Sequence, residues 1–254
     1  MSVDSGESED YVLGGRLLIR QPMRGHRVGH DAILLAAATA ARSGERAVDL
    51  GAGVGGAGLA LAHRVAGVAV TLLDIDPELT ALASRNIELN KLSDRVRAVR
   101  LDVAASAADF AAAALAPGTA AAVLMNPPFN VVQQSSPDPA RRAAHAAAPE
   151  TLPIWLSTAA RLLGADGVLT LIWRADGLGE VLAALAGKFG AVAVLPVYPK
   201  PGAAAIRVLV RAVKGSGVPL RLLPGMTLAH ADGKPSAQAE AVLRDAAALS
   251  LTVT

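Results

Sequence analysis

One stretch, residues 47–58, constrains the fold of this chain more than any other. A short apolar run ends at Asp49, and a glycine cluster then opens an apolar segment with helical spacing. This order of strand, glycine turn and helix is typical of α/β proteins that hold a nucleotide at the end of the first strand. Gly51 and Gly53 lack a Cβ, so the turn can be tight and its backbone can approach a ligand. With Gly56 they satisfy the pattern GxGxxG, which glycine turns built only for packing also match.

Strand and helix patterns alternate along most of the chain. After the strand that ends at Asp49, further strands are predicted over 68–73, 96–101, 121–125, 167–173, 191–198 and 206–213. Helices are predicted over 32–41, 78–90, 107–115, 152–163, 176–189 and 238–249. Short strands are also predicted over 17–22 and 220–223. We therefore expect a Rossmann-like, doubly wound α/β fold: a sheet of seven strands, mostly parallel with the last antiparallel, and helices on both faces.

Polar residues follow the ends of the first four strands of this sheet. Asp49, Asp74, Asp102 and Asn126 recur at a spacing of roughly 25 residues, about one strand–helix unit. In a doubly wound sheet the carboxyl ends of the strands meet at one edge, where ligands bind. The four side chains are therefore expected to line one site.

Composition restricts the class of protein. The chain has 254 residues, of which 52% are hydrophobic and 18% charged, which excludes a mostly disordered chain. It contains no cysteine, so cysteine-ligated zinc and disulfides are absent, and the histidines show no metal-binding spacing, so no metal is expected. A net charge of +2 is too small to indicate a nucleic-acid binder on its own. Without a signal peptide or a membrane-spanning run, the expected location is the cytoplasm.

The expected domain organisation is simple. Residues 1–10 are acidic and serine-rich, and they are predicted to form a disordered tail. Residues 11–254 are predicted to form a single domain, in which 11–45 are an extension of one strand and one helix and 46–254 are the core.

The four residues 126–129, Asn-Pro-Pro-Phe, are the most specific motif. Together with the glycine turn and the acid after the second strand, they resemble S-adenosylmethionine-dependent methyltransferases that act on amino groups. Residues 28–35 and 49–53 extend this likeness to a bacterial family that methylates N6 of an anticodon-loop adenine in a valine tRNA and includes small-domain methyltransferases of unassigned substrate. The likeness covers about residues 15–250. It implies S-adenosylmethionine as cofactor and RNA as substrate, and we expect this RNA to be a tRNA.

The resemblance implies a set of residues that bind the cofactor: Asp31, Asp49, Gly51, Gly53, Asp74, Asp102 and Asn126. Asp49 would offset the positive charge of the cofactor, and Asp74 suits its two ribose hydroxyls. Asp102 is placed to accept a hydrogen bond from the adenine amino group, and the less favoured alternative is that it is the N-cap of the next helix. His30 and Asp31 lie where the family closes over the methionine end, whereas the sequence alone favours Asp31 as an N-cap.

The catalytic residues that the motif implies are Asn126, Pro127 and Phe129. An exocyclic amine on an aromatic ring is a poor nucleophile, because its lone pair is delocalised. The Asn126 side-chain oxygen and the Pro127 carbonyl can accept hydrogen bonds from its two N–H groups and favour a tetrahedral nitrogen. Phe129, with Pro128 beside it, can stack on the target base. The alternative is a proline-terminated strand followed by a core phenylalanine.

The segment 130–149 has no hydrophobic periodicity and is predicted to be a long loop. Its Arg141, Arg142 and His145 are candidates for contacts to the phosphates beside the target base, or they are ordinary solvated side chains. Other functions are a methylase of guanine N2 in ribosomal RNA, a methylase of a protein glutamine, a nicotinamide-dependent oxidoreductase and a non-enzymatic RNA-binding module. The oxidoreductase leaves the motif at 126–129 unexplained.

Overall fold

A computed structural model describes residues 6–24, 27–128 and 150–251. Within these ranges the helices are α1 (His30–Ala38), α2 (Gly56–Arg64), α3 (Pro77–Leu89), α4 (Ala107–Ala112), α5 (Thr151–Leu162), α6 (Leu178–Leu185) and α7 (Ala237–Leu243). The strands are β1 (Glu7–Val12), β2 (Leu17–Pro22), β3 (Arg46–Leu50), β4 (Ala69–Asp74), β5 (Val96–Arg100), β6 (Ala120–Met125), β7 (Leu163–Arg174), β8 (Phe189–Tyr198), β9 (Arg207–Lys214), β10 (Arg221–Leu222) and β11 (Met226–Thr227).

The central sheet has the strand order β10-β8-β9-β7-β6-β3-β4-β5, with β11 also paired to β8. Strands β3 to β9 correspond to the seven predicted strands, and the two-residue strands β10 and β11 extend the sheet at one end. Neighbouring strands are parallel except where β9 pairs with β7 and β8. The expected doubly wound α/β fold, with an antiparallel last long strand, is therefore confirmed.

Helices cover both faces of the sheet, because side chains along each buried strand alternate between two cores. On β3, Ala47 belongs to the core that also holds Leu59 of α2. Its neighbour Val48 belongs to the opposite core, with Phe110 of α4 and Leu156 of α5. Strands buried on both faces read as near-continuous apolar runs, which is why the sequence pattern located them so well.

The N-terminal residues differ from the expectation of a disordered tail. β1 begins at Glu7 and pairs antiparallel with β2, so residues 7–10 belong to a hairpin. The acidic side chains have basic partners: the Glu9 carboxylate lies 2.8 Å from the Arg20 guanidinium, and the Glu7 carboxylate lies 2.9 Å from that of Arg85. Composition alone predicts disorder for an acidic stretch, because it does not show which basic side chains of the fold will pair with the acidic ones.

Two asparagines, Asn86 in α3 and Asn90 at its C-cap, hold this hairpin against the helix. The Asn86 amide accepts from the Arg20 N–H at 2.8 Å and donates to the Arg20 carbonyl at 2.9 Å. One turn later, the Asn90 amide makes the same two bonds with Leu18, at 3.0 and 2.7 Å. Side chains four residues apart lie on one face of a helix, so the pair matches alternate residues of β2. The buried Asn86 also donates to the Val54 carbonyl at 2.9 Å. It therefore connects the hairpin to the glycine turn.

Candidate active site

The sheet reverses its strand order beside β3. The chain runs outward through β4 and β5 and then returns to β6 on the other side of β3. Leu50 of β3 is in register with Leu73 of β4 and with Met125 of β6. The residues that follow these strands therefore meet at one edge of the sheet. In open α/β sheets such a reversal opens the crevice in which ligands bind.

The glycine turn between β3 and α2 lies at this crevice. Gly51 has φ +66° and Gly53 has φ +56°, in the left-handed region that favours glycine. The Ala52 N–H donates to the Leu73 carbonyl at 2.8 Å, which holds the turn against β4. A Cβ added to Gly53 would meet no atom of the described residues within 4 Å. The turn therefore presents bare backbone to open space at Gly53.

Asp74 ends β4 and is locked in orientation by backbone donors. Its Oδ2 accepts from the Gly53 N–H at 2.7 Å, and its Oδ1 accepts from the Asp76 N–H at 2.9 Å. Burial raises the pKa of Asp74, while these two N–H groups lower it. Each carboxylate oxygen has a second lone pair, so both can still accept from a ligand hydroxyl. Asp76 in turn caps α3 by accepting from the Glu78 N–H at 2.8 Å.

Asp49 is a buried carboxyl group at the site with a strongly raised pKa. It is 2% exposed, and its Oδ2 accepts from the Gly58 N–H in the first turn of α2 at 2.8 Å. Burial raises its pKa to about 7; the Gly58 N–H lowers the pKa, and the nearby Asp74 carboxylate raises it further. A buried carboxyl without a cationic partner favours the protonated form. Asp49 is therefore poised to gain from a positive charge brought into the crevice.

Asn126 follows β6 directly and lies beside the glycine turn, because Met125 pairs with Leu50. Its Oδ1 atom is buried and accepts no hydrogen bond from any described residue. A buried acceptor without a donor is costly and calls for a missing partner, such as a substrate N–H. Pro127 is buried and Pro128 is exposed, so the motif turns outward at this point.

Two other predicted acids occupy the same edge in different ways. Asp102 is exposed, two residues beyond β5, and its Oδ1 accepts from the Ala104 N–H at 2.8 Å. It does not cap the next helix, because Ser106 caps α4. Asp31 lies in the first turn of α1, which His30 begins and Gly29 caps. The capping role considered for Asp102 and for Asp31 is therefore wrong.

Some predicted site residues lie outside the described ranges: Phe129, Arg141, Arg142 and His145. Within those ranges, no group of three or more His, Asp or Glu side chains is arranged to hold a metal ion. None of the described helices has the length and the apolar character needed to cross a membrane.

The structure adds three residues that the sequence did not single out. Ile75, next to Asp74, is 59% exposed and presents an apolar side chain at the rim. Arg207 at the start of β9 donates to the Asp31 carboxylate at 2.8 Å. The Trp155 side chain from α5 lies over Gly51. The sequence did not single out Trp155, because an aromatic residue at helical spacing is usually a core residue. It gave no local signal for the ion pair of Asp31 and Arg207, because the two residues are 176 positions apart.

Known proteins are similar to this chain. A tRNA1(Val) (adenine(37)-N6)-methyltransferase of Tolumonas auensis is 32% identical over 161 residues, which are 63% of this chain and 64% of that relative, just under two thirds of its length. A protein of the same name from Bacteroides thetaiotaomicron is 28% identical over 186 residues, 72% of this chain and 75% of the relative. The crystal structure of a predicted O-methyltransferase from Agrobacterium tumefaciens superimposes with a TM-score of 0.74 at 28% identity and covers 88% of this chain and all of its own.

The family match covers the elements that build the site. Residues 26–197 match the methyltransferase small domain, more than half of the chain, from the segment before α1 to the end of β8. This range contains the glycine turn, Asp74, Asp102 and Asn126. The resemblance inferred from the sequence is thus confirmed, and the chain belongs to the methyltransferase small domain family.

Proposed function

We propose that this protein transfers the methyl group of S-adenosylmethionine to the N6 amino group of an adenine in RNA, and that the RNA is a tRNA. The observation that carries the proposal is the buried Asn126 Oδ1, which lacks a donor among the described residues at the reversal of the sheet. Family membership and the tRNA1(Val) (adenine(37)-N6)-methyltransferases among the relatives support the reaction and the substrate class.

The residues of the crevice fit the methyl donor. Gly53 leaves backbone facing open space, Asp74 keeps free lone pairs for the ribose hydroxyls, and buried Asp49 gains from a nearby cation. Asp102 is exposed beside them, available for the adenine amino group, and Asp31 with Gly51 completes the expected set. When bound, the donor supplies an electrophilic methyl group on a sulfonium.

The chain's own contribution is to position the amine. Asn126 Oδ1 and the Pro127 carbonyl accept hydrogen bonds from the two N–H groups of the target amine, which turns its lone pair toward the donor. Pro127 offers no N–H that would compete for the same acceptors, and its fixed φ keeps the backbone rigid. Exposed Pro128 leads to Phe129, which we expect to stack on the flipped base. Arg141, Arg142 and His145 remain candidates for phosphate contacts.

The substrate is tested by labelling. Tritiated S-adenosylmethionine is incubated with the protein and unmodified tRNA transcripts, and the RNA is digested to nucleosides. We expect label in N6-methyladenosine. Label confined to guanosine or to protein contradicts the acceptor, and calorimetric binding of NADH in place of S-adenosylhomocysteine contradicts the reaction class.

The role of Asn126 is tested by substitution. Asn126→Ala removes one of the two acceptors, so we expect turnover to fall by roughly a hundredfold or more. The affinity for S-adenosylhomocysteine should change little, because this product of the donor does not contain the target amine. Asn126→Asp keeps an acceptor oxygen and should retain measurable turnover. An Asn126→Ala variant with full turnover would remove this residue from the reaction.

A further inference from the structure

Trp155 of α5 lies against the glycine turn at Gly51. A Cβ added to Gly51 would lie 2.9 Å from Cζ3 of the indole ring and closer still to Cη2. The ring edge therefore rests against the Gly51 backbone, in the place that any side chain at this position would occupy. Trp155 is half-buried, whereas Trp173, the second tryptophan of the chain, is 3% exposed in the core. A half-buried indole at the crevice is conspicuous in a chain with 3% aromatic residues.

The same helix is fastened to the loop that follows β5. One turn beyond Trp155, the Thr158 hydroxyl donates to the Val103 carbonyl at 2.8 Å. Arg161 donates to the Ala105 carbonyl at 3.3 Å, and its guanidinium lies 4.5 Å from the centre of the Phe110 ring. Residues three apart lie on the same side of a helix. One side of α5 therefore spans the edge of the sheet, from the Asp102 loop to the Gly51 turn.

We propose that Trp155 is a further binding residue for the methyl donor and forms the apolar wall of its pocket at Gly51. The inference rests on the proposed function, since it takes the crevice to be the donor site. The glycine turn and the loop after β5, both of which α5 contacts, carry Gly51 and Asp102. A ligand that reaches from one to the other passes the half-buried indole. The contact is apolar, so it does not depend on the charge of the donor.

Calorimetry tests the contact. We expect Trp155→Leu to weaken binding of S-adenosylhomocysteine by roughly tenfold, since the ring is lost. Trp155→Phe keeps an aromatic surface and should stay within about threefold of the wild type. S-adenosylmethionine should lose affinity by the same factor as S-adenosylhomocysteine, which lacks the sulfonium charge. Wild-type affinity in Trp155→Leu would overturn the proposal, as would a loss confined to the cationic donor.

Tryptophan fluorescence gives a second test. If Trp155 had only a structural role, its emission would not change when the ligand binds. The Trp173→Phe variant keeps Trp155 as its single tryptophan, and titration with S-adenosylhomocysteine should change its emission with the calorimetric Kd. The Trp155→Phe variant, which keeps Trp173, is the matched control and should remain silent. A silent Trp173→Phe variant that binds the ligand by calorimetry would overturn the assignment of Trp155 alone. A wild-type protein that binds neither molecule would overturn the proposed function together with it.

Discussion

Replacing Asp49 by asparagine should stabilise the ligand-free protein and weaken its donor binding. The carboxylate is 2% exposed, and the hydrogen bond that it accepts comes from the neutral Gly58 N–H. An asparagine has nearly the same shape, and its side-chain oxygen can accept the same bond. The substitution therefore removes the cost of a buried negative charge while it keeps the local packing.

The size of the effect follows from the pKa of Asp49. Burial raises this pKa from 3.8 to about 7, so the folded protein holds a proton that the unfolded chain releases. The free energy of unfolding therefore falls as the pH rises from the unfolded pKa through the folded one, by about 4 kcal/mol in total. Below the unfolded pKa both states are protonated, and the loss disappears. For a chain of this size, 1 kcal/mol corresponds to roughly 2–4 °C in Tm.

Thermal unfolding of both proteins without ligand measures this difference. At about pH 8 we expect Asp49→Asn to melt several degrees above the wild type, and at about pH 5 this difference in Tm should shrink to less than half of its value at pH 8. The affinity of the wild type for S-adenosylmethionine should rise over the same interval, because a cation favours the ionised Asp49. The variant should bind weakly at both pH values. A variant that melts below the wild type equally at both would refute the assignment of a raised pKa to Asp49.

Two further predictions concern the supports of the site. Asp74→Ala should weaken S-adenosylhomocysteine binding by roughly tenfold or more, since charge-assisted bonds to the ribose are lost; unchanged affinity by calorimetry would contradict that role. Asn86→Ala and Asn90→Ala should both lower Tm, because each removes paired hydrogen bonds to β2. Asn86→Ala alone should also weaken S-adenosylhomocysteine binding, because only Asn86 donates to the Val54 carbonyl of the glycine turn. Equal affinities in the two asparagine variants would show that the glycine turn does not depend on this bond.

The fold was predictable from the sequence because its elements carry local signals. Buried parallel strands are short apolar runs, and an Asp-Pro pair such as Asp76-Pro77 marks the start of a helix with a cap and a rigid first turn. The hairpin of β1 and β2 was not predictable in the same way. Its stability depends on Arg20, Arg85 and the two asparagines in α3 and at its C-cap, which the chain supplies from outside the acidic segment.

The site was predictable where residues follow strand ends. Asp49, Asp74, Asp102 and Asn126 lie at one edge because parallel strands bring their carboxyl ends together. Trp155 was missed, because its place over Gly51 depends on how α5 packs across the sheet. Caps are also set by local geometry that composition does not show: Asp31 pairs with Arg207, while Gly29 takes the capping position of α1.

The hydrogen bonds of Asn86 and Asn90 to β2 make the hairpin of β1 and β2 part of the scaffold that supports the site. Asn86 shares one amide between β2 and the loop that carries Gly53, so the two are fastened by a single buried group. A shortened protein that starts at α1 would retain every residue of the proposed reaction. The buried Asn86 amide would nevertheless lose its partners on β2. Unsatisfied buried polar groups lower the free energy of unfolding, which is small in native proteins. Removal of β1 and β2 would thus weaken the support of the glycine turn at the crevice.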